Sequence, residues 1–571
     1  MGMDNPVSNA TPPQLPVVAR IDPMPTSTGS GRRRRIFAHL LLIVILAPSA
    51  VWVVLDRSVW PFDQAWYGEV SVDLYAALGD GAKAWMDAMG TALPSKPPGI
   101  AWLGQWFVPV GLALGRIETA LLASVLLCQF GTLVLVYRTG RLLAPDRPLI
   151  AMVGSLMVGA SPLFVGMSHN YFAEPLQTFA VAWVFYIASR GPGASRVRLM
   201  AELIAVAAVG MLAKTTTPIY CLLAGLLCIV WMIRSRRPDV RRAWRSVVLD
   251  WGALVFSLAL AACAVVWFWQ NAESVLRHAK LSSMGDVALH YGSDRPFLEK
   301  LSFWCRGLQQ CFLLEPMVWV LAAGAVLASV LYGARIRSGR PHRRGPIEFV
   351  ALVALAQIVA VVCVFSLSIN EETRYLLPLA VPIGIVLMWT LAQFPDWSLA
   401  SVWCVLLGGQ WACVFLQAFG GIAPQPTLTH WLIPVERDAR RSQELARVVE
   451  ATSNERIRNR INVIGVEYPW FNANSASFYA AKAALAGVPR CRYTSLGYAE
   501  ADADAAWERL VTGINAPYFV TIAQDYQIAK DTFNAVSLPI LQRALGDPAF
   551  NPVPFVSECG VLVFRRDEVA E

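Results

Sequence analysis

Charge is scarce in this chain. Only 15% of its 571 residues are Asp, Glu, Lys or Arg, against about 25% in a soluble globular protein. Apolar side chains make up 56% of it, and the mean hydropathy is +0.47. That balance excludes a soluble globular enzyme and a disordered protein, and argues for a polytopic membrane protein. Lysine is scarcer still, at 7 of the 48 basic residues, so the place of each lysine carries information. There is no Walker loop, no Rossmann glycine fingerprint and no long-period repeat, which removes the common nucleotide-binding and solenoid classes. The six histidines are scattered and no zinc-type Cys/His spacing occurs. Seven of the eleven cysteines fall in apolar runs, where Cys acts as a small apolar residue. Of the rest, Cys491 and Cys559 alone share the polar C-terminal region, and a disulfide between them is left open.

What is present is a series of apolar runs. Residues 1–35 are rich in Pro, Ser and Thr, end in Arg32 to Arg35, and read as a disordered basic tail. Ile36 to Leu55 then has the length of a bilayer-spanning helix, about 20 residues. A cleavable signal is the competing reading, set aside because the apolar run continues past Ala47-Pro48-Ser49-Ala50. Further runs lie near 117–137, 148–166, 172–189, 199–213, 215–233, 248–269, 315–333, 348–368, 375–392 and 398–418. The stretch 98–115 is short and studded with Gly, Pro and Trp. Taking it as interfacial puts every Arg cluster on one side, where the segments hold 22 basic and 5 acidic residues. The expected fold is therefore a polytopic α-helical membrane protein with about 11 transmembrane helices, N-terminus inside and C-terminus outside.

Residues 36–419 form the expected membrane domain and 420–571 a polar domain beyond it. The latter alternates strand-like runs (Ile461 to Val466, Tyr518 to Ile522, Val561 to Phe564) with helical ones (Ser475 to Leu485, Asp504 to Val511), which suggests a small α/β domain. Its net charge is −2, from 15 basic and 17 acidic residues. The +8 of the whole chain is then an orientation signal and not a nucleic-acid footprint.

The informative charges are those that disobey it at the outer face. Asp63 follows the first span, at the start of a run with apolar residues at 66, 67, 70, 74 and 78, the pattern of an amphipathic helix on the outer surface. It is either a functional acid or a helix cap. Lys96 stands in Ser95-Lys96-Pro97-Pro98, rigidly presented at headgroup level, and suits a phosphate or snorkels to the interface. Glu174 opens an apolar helix after Ser168-His169-Asn170-Tyr171, as a functional acid or a first-turn complement to the helix dipole. Lys214, in the turn after Gly210, is the sole basic residue between Arg198 and Arg234. Arg374 lies in Arg374-Tyr375-Leu376-Leu377-Pro378. Two carboxylates and three cations thus meet at one membrane depth, which fits a lipid-linked phosphate beside a general base. In the outer domain, Tyr468, Trp470, Phe471, Asn472 and Asn474 form a polar-aromatic turn, either a sugar-stacking surface or an ordinary loop.

These stretches, across residues 36 to 420, resemble the GT-C superfamily of integral-membrane glycosyltransferases, in the branch of the protein O-mannosyltransferases and lipid A aminoarabinose transferases. The resemblance implies transfer of a sugar from a polyprenyl-phosphate carrier to a glycolipid, glycan or protein acceptor on the outer face. Asp63 inherits the role of catalytic base; Glu174, the second catalytic candidate, orients the acceptor, acts as a second base or helps hold a divalent ion. Lys96, Lys214 and Arg374 inherit the donor phosphate, and Tyr67, His169 and Tyr375 substrate contacts. No metal ligand set is implied, although a divalent cation is left open. The motifs depart from the pattern twice, with Asp63-Gln64 where Asp-Glu is common and Glu174 where Asp is common. The Arg- and Ala-rich usage, with no recognisable retention signal, points to a bacterial inner membrane, and the Arg distribution puts the active site and C-terminus on its periplasmic side. The competing classes are a flippase of lipid-linked sugars, which should show repeated halves, and an O-antigen ligase or polymerase.

Overall fold

The computed structural model describes residues 29–191, 195–234, 244–337, 346–394, 397–422, 429–455, 460–496, 502–523 and 532–567. The greater part of the expected disordered tail, 1–28, and the centres of the Arg clusters at 235–243 and 338–345 lie outside the described residues. Residues 29–35 extend the first helix, Gly29–Leu55.

Each of the expected apolar runs is helical, the one backbone arrangement that satisfies a single apolar segment in lipid. Among the described residues, eight helices are long and apolar enough to cross a membrane: Ile36–Leu55, Ile117–Leu143, Thr217–Arg234, Ser246–Met284, Glu315–Ala334, Glu348–Phe365, Thr373–Ala392 and Ser398–Ala418. The run at 148–166, expected as one span, is a pair of helices bent by 58° at Pro162, where proline removes an N–H and crowds the preceding turn. Glu174–Ser189 has only 16 residues, and Arg196–Ala213 carries Arg196, Arg198 and Glu202. The eleven expected spans therefore resolve into eight full ones, one broken one and two short or charged helices packed among them. Gly99–Ala113 is a shorter apolar segment, in keeping with an interfacial position.

At the expected inner end, helix termini are held together by arginine. Arg147 donates to the Phe394 carbonyl at 2.6 Å and Arg190 pairs with Glu202. The chain is a helical multi-pass membrane protein.

Two segments depart from expectation. The helix Trp244–Met284 runs for 41 residues, about 60 Å at 1.5 Å per residue, or twice the hydrocarbon core. The first third of the expected outer loop 270–314 is thus a continuation of this helix. The first-loop helix Phe62–Gly79 does not lie open on the surface, since Gln64, Ala65, Tyr67, Gly68, Ser71, Val72 and Leu74 are buried. It packs beneath the helix Ala473–Leu485 of the C-terminal domain. Trp60 is stacked between Tyr171 and Phe478, each at 5.2 Å, and Ser475 donates to the Trp60 carbonyl at 2.7 Å. Gly68 permits the approach, because a Cβ there would meet the Phe478 ring at 3.0 Å. An exposed helix at this face is Ala82–Thr91, which buries no residue.

The C-terminal domain has a five-stranded sheet in the order β2-β1-β3-β5-β4, formed by β1 (Ile461–Ile464), β2 (Arg492–Ser495), β3 (Tyr518–Ile522), β4 (Phe550–Pro552) and β5 (Val561–Arg566). β1 runs parallel to β2 and β3, while β5 is antiparallel to β3 and β4. Successive side chains of β3 alternate between faces. Phe519 joins Val463, Phe564, Ile540 and Leu541 in a core of this domain alone. Val520 and Ile522, on the other face, belong to the same apolar core as the membrane helices. The domain is consequently seated on the membrane part, not tethered to it. Cys491 and Cys559 are free thiols, so the disulfide left open by the sequence is not formed. Cys491 lies 3.2 Å from the Ser453 hydroxyl instead.

Candidate active site

The expected outer ends of the helices and the C-terminal domain enclose a cavity of about 880 Å³. Asp63, Tyr67, Lys96, Glu174, Lys214, Arg374 and Tyr375 all line it. Ile219, Val275, Leu281, Val364 and Leu367 add an apolar wall, and Asn474, Thr494, Ser495 and Arg509 of the C-terminal domain also line it.

Asp63 stands in the first turn of its helix but does not cap it; Pro61 holds the cap position without a side-chain bond. The preceding Phe62 has φ 39°, a costly conformation for a bulky residue. The carboxylate of Asp63 instead accepts from Lys96 Nζ at 2.7 Å and lies 3.8 Å from Arg374 Nη2. Burial raises its pKa, but the charges of Lys96 and Arg374 outweigh that and hold it at about 2.

Glu174 accepts from Lys214 Nζ at 2.7 Å and approaches Arg374 Nε at 3.4 Å. Lys214 rests over the Tyr375 ring at 3.7 Å. Its pKa falls to about 8, because burial and the repulsion of Arg374 exceed the support of Glu174. The backbone that carries Lys96 touches the one that carries Lys214. A Cβ on Gly99 would sit 2.6 Å from the Leu212 carbonyl oxygen. Gly99→Ala is therefore expected to cost about 1–3 kcal/mol of stability, read as a lower melting temperature in detergent.

Arg374 is the hub. Its guanidinium lies 4.2 Å from the Phe172 ring and 5.3 Å from Trp431. It faces Asp63 at 3.8 Å, Glu174 at 3.4 Å and Glu372 at 3.3 Å, yet its buried Nε makes no hydrogen bond within the described residues. This cation is held by rings and surrounded by charge without being saturated by protein acceptors. Three acids, Asp63, Glu174 and Glu372, thus cluster with the three cations Lys96, Lys214 and Arg374 in this cavity. The acids differ in access, with the Asp63 side chain 28% exposed and that of Glu174 only 3%.

His169 is not at the site. It is buried against Trp52, with ring centroids 3.7 Å apart, because the bend after Gly159 turns it into the helix packing. Phe172, Glu372, Trp431 and His278 belong to the site or its wall and were not singled out from sequence. His278 arrives on the projecting end of the long helix. Trp431 arrives from the connector to the C-terminal domain. The polar-aromatic turn divides: Phe471 is buried, Asn472 caps the following helix by accepting from the Ser475 N–H, and only Asn474 reaches the cavity.

No protein-family model and no curated protein matches the chain. Among solved structures it is similar to ArnT from Cupriavidus metallidurans. Against the apo form the identity is 15% and the TM-score 0.51, covering 94% of this chain and 98% of that one. Against the form bound to undecaprenyl phosphate the identity is 16% and the TM-score 0.53, covering 95% and 100%. The likeness runs over nearly the full length of both chains, and this chain shares the fold of that structure.

Proposed function

We propose that the protein transfers a sugar from a polyprenyl-phosphate carrier to a nucleophilic acceptor at the outer face of a bacterial inner membrane. The observation that carries this reading is the unsaturated Arg374, buried beside Lys96 and Lys214 where an apolar wall meets the cavity. A phosphate on an apolar chain has the matching chemistry. The undecaprenyl phosphate bound by the ArnT structure of the same fold supports it.

The reaction is a single displacement. The acceptor oxygen or nitrogen forms a bond to the anomeric carbon as the bond from that carbon to the phosphate oxygen breaks. The electron pair leaves with the phosphate, and the acceptor proton passes to Asp63. Asp63 takes this role over Glu174 because it is the more open carboxylate and Glu174 is sealed by Lys214. At a pKa of about 2 Asp63 is a weak base while Lys96 and Arg374 face it. A donor phosphate that draws these two cations to itself raises the basicity of Asp63 as it binds. Lys96, Lys214 and Arg374 then offset the second charge that develops on the departing phosphate. The anomeric configuration inverts.

The pH profile follows from Lys214. The lysine binds phosphate as its ammonium, so kcat/KM for the donor is expected to fall as pH rises through about 8. A lysine at its ordinary pKa would hold the profile flat to about pH 10. The reading itself is tested with purified protein, a panel of polyprenyl-phosphate sugars and candidate acceptors, scoring release of polyprenyl phosphate. Release that requires both donor and acceptor supports it, and no release with any donor refutes it.

A further inference from the structure

Asp63 and Glu174, two of the carboxylates that line the cavity, come from different loops, and one buried amide ties those loops together. Gln64, adjacent to Asp63, is 4% exposed. Its Nε2 donates to Asn170 Oδ1 at 2.7 Å, and its Oε1 accepts from the Tyr171 backbone N–H at 3.1 Å. Asn170 cannot turn its amide over, because its Nδ2 already donates to the Gly166 carbonyl at 2.6 Å. The contact therefore demands a donor and an acceptor on one side-chain end, at one reach. The next residue, Tyr171, is fixed as well, with its hydroxyl donating to the Ile100 carbonyl at 2.9 Å. Glu174 follows three residues later.

We infer that Gln64 is a positioning residue: its double hydrogen bond to Asn170 and Tyr171 sets Glu174, with its partner Lys214, in register with Asp63. The inference deepens the transferase reading and rests on it for its kinetic consequence only. Apolar packing alone holds the loops together in a variant that lacks the amide. The register between the two carboxylates is then lost without loss of the fold. A displacement near 1 Å is worth up to roughly 100-fold in rate.

The test uses the full chain and Gln64→Met, which keeps the length and removes both bonds. Hydrogen exchange of the segment 166–174 is expected to quicken roughly 2- to 10-fold, with the C-terminal sheet unchanged. In the transfer assay kcat is expected to fall roughly 10- to 100-fold while the donor KM stays within about 3-fold. Asn170→Leu is expected to lower kcat similarly, and the double variant no further than the worse single one. Unchanged exchange at 166–174 overturns the inference whether or not the protein is a transferase. So does a kcat equal to the parent's, or single losses that multiply in the double variant. A parent that transfers no sugar refutes the transferase reading, and the exchange result then decides the loop coupling by itself.

Discussion

Asp63→Asn is expected to lower sugar transfer roughly 10²–10⁴-fold at saturating donor and acceptor. The substitution keeps the shape and leaves an oxygen to accept from Lys96, now at 2.7 Å from the carboxylate, so the fold is retained. It removes the proposed proton acceptor and the charge that would compete with a donor phosphate for Lys96 and Arg374. Donor affinity should therefore hold or improve while turnover collapses, a split that a general structural defect does not produce. The same charge bears on stability. The Asp63 pKa is held at about 2 against the ordinary 3.8, so this stabilisation is present above pH 3.8 and is lost as the pH falls through 2. At neutral pH its removal costs about 2 kcal/mol. A variant that keeps parental turnover excludes Asp63 as the base.

Arg374→Ala is expected to have a comparable effect by a different route. In the proposed reaction its guanidinium offsets the charge on the departing phosphate, and loss of one such group costs roughly 10²–10³-fold in kcat. It also leaves Glu372 and the 3%-exposed Glu174 with less compensation, and breaking a buried charge cluster costs about 3–5 kcal/mol. Arg374→Lys separates the two effects. A lysine restores a charge against Glu174 and Glu372 but lacks the planar fork that meets a phosphate and stacks on Phe172. Stability should recover with Lys while turnover stays low. Recovery of both would reduce Arg374 to a structural counter-charge.

Much of this site was legible in the sequence because a membrane protein exposes one coordinate, depth, to direct reading. The ends of apolar runs placed Asp63, Lys96, Glu174, Lys214 and Arg374 at one level, and all five line one cavity. Position across the membrane plane is not encoded in run lengths. His169 stood at the right depth beside Glu174 and still faces away, because the bend before Pro162 rotates it onto Trp52. His278 and Trp431 were hidden for the opposite reason. Nothing in the apolar pattern tells that a helix continues to Met284 after leaving the bilayer, or that a connector folds back over Arg374. The C-terminal sheet repeats the lesson. β1, β3 and β5 have apolar runs long enough to recognise, whereas β2 is Arg-Tyr-Thr-Ser and β4 has three residues. Both are edge strands that owe their form to their neighbours. Gln64 was seen only as a departure from a motif, and its two partners lie more than a hundred residues away.

The most direct test of the central claim is the affinity of the purified protein for undecaprenyl phosphate, which carries the lipid and the phosphate without requiring the sugar to be known. Saturable binding by the parent, weakened at least tenfold in both Arg374→Ala and Lys96→Ala and not weakened in Asp63→Asn, is the result predicted. Equal binding by all four proteins, or none by the folded parent, would contradict it.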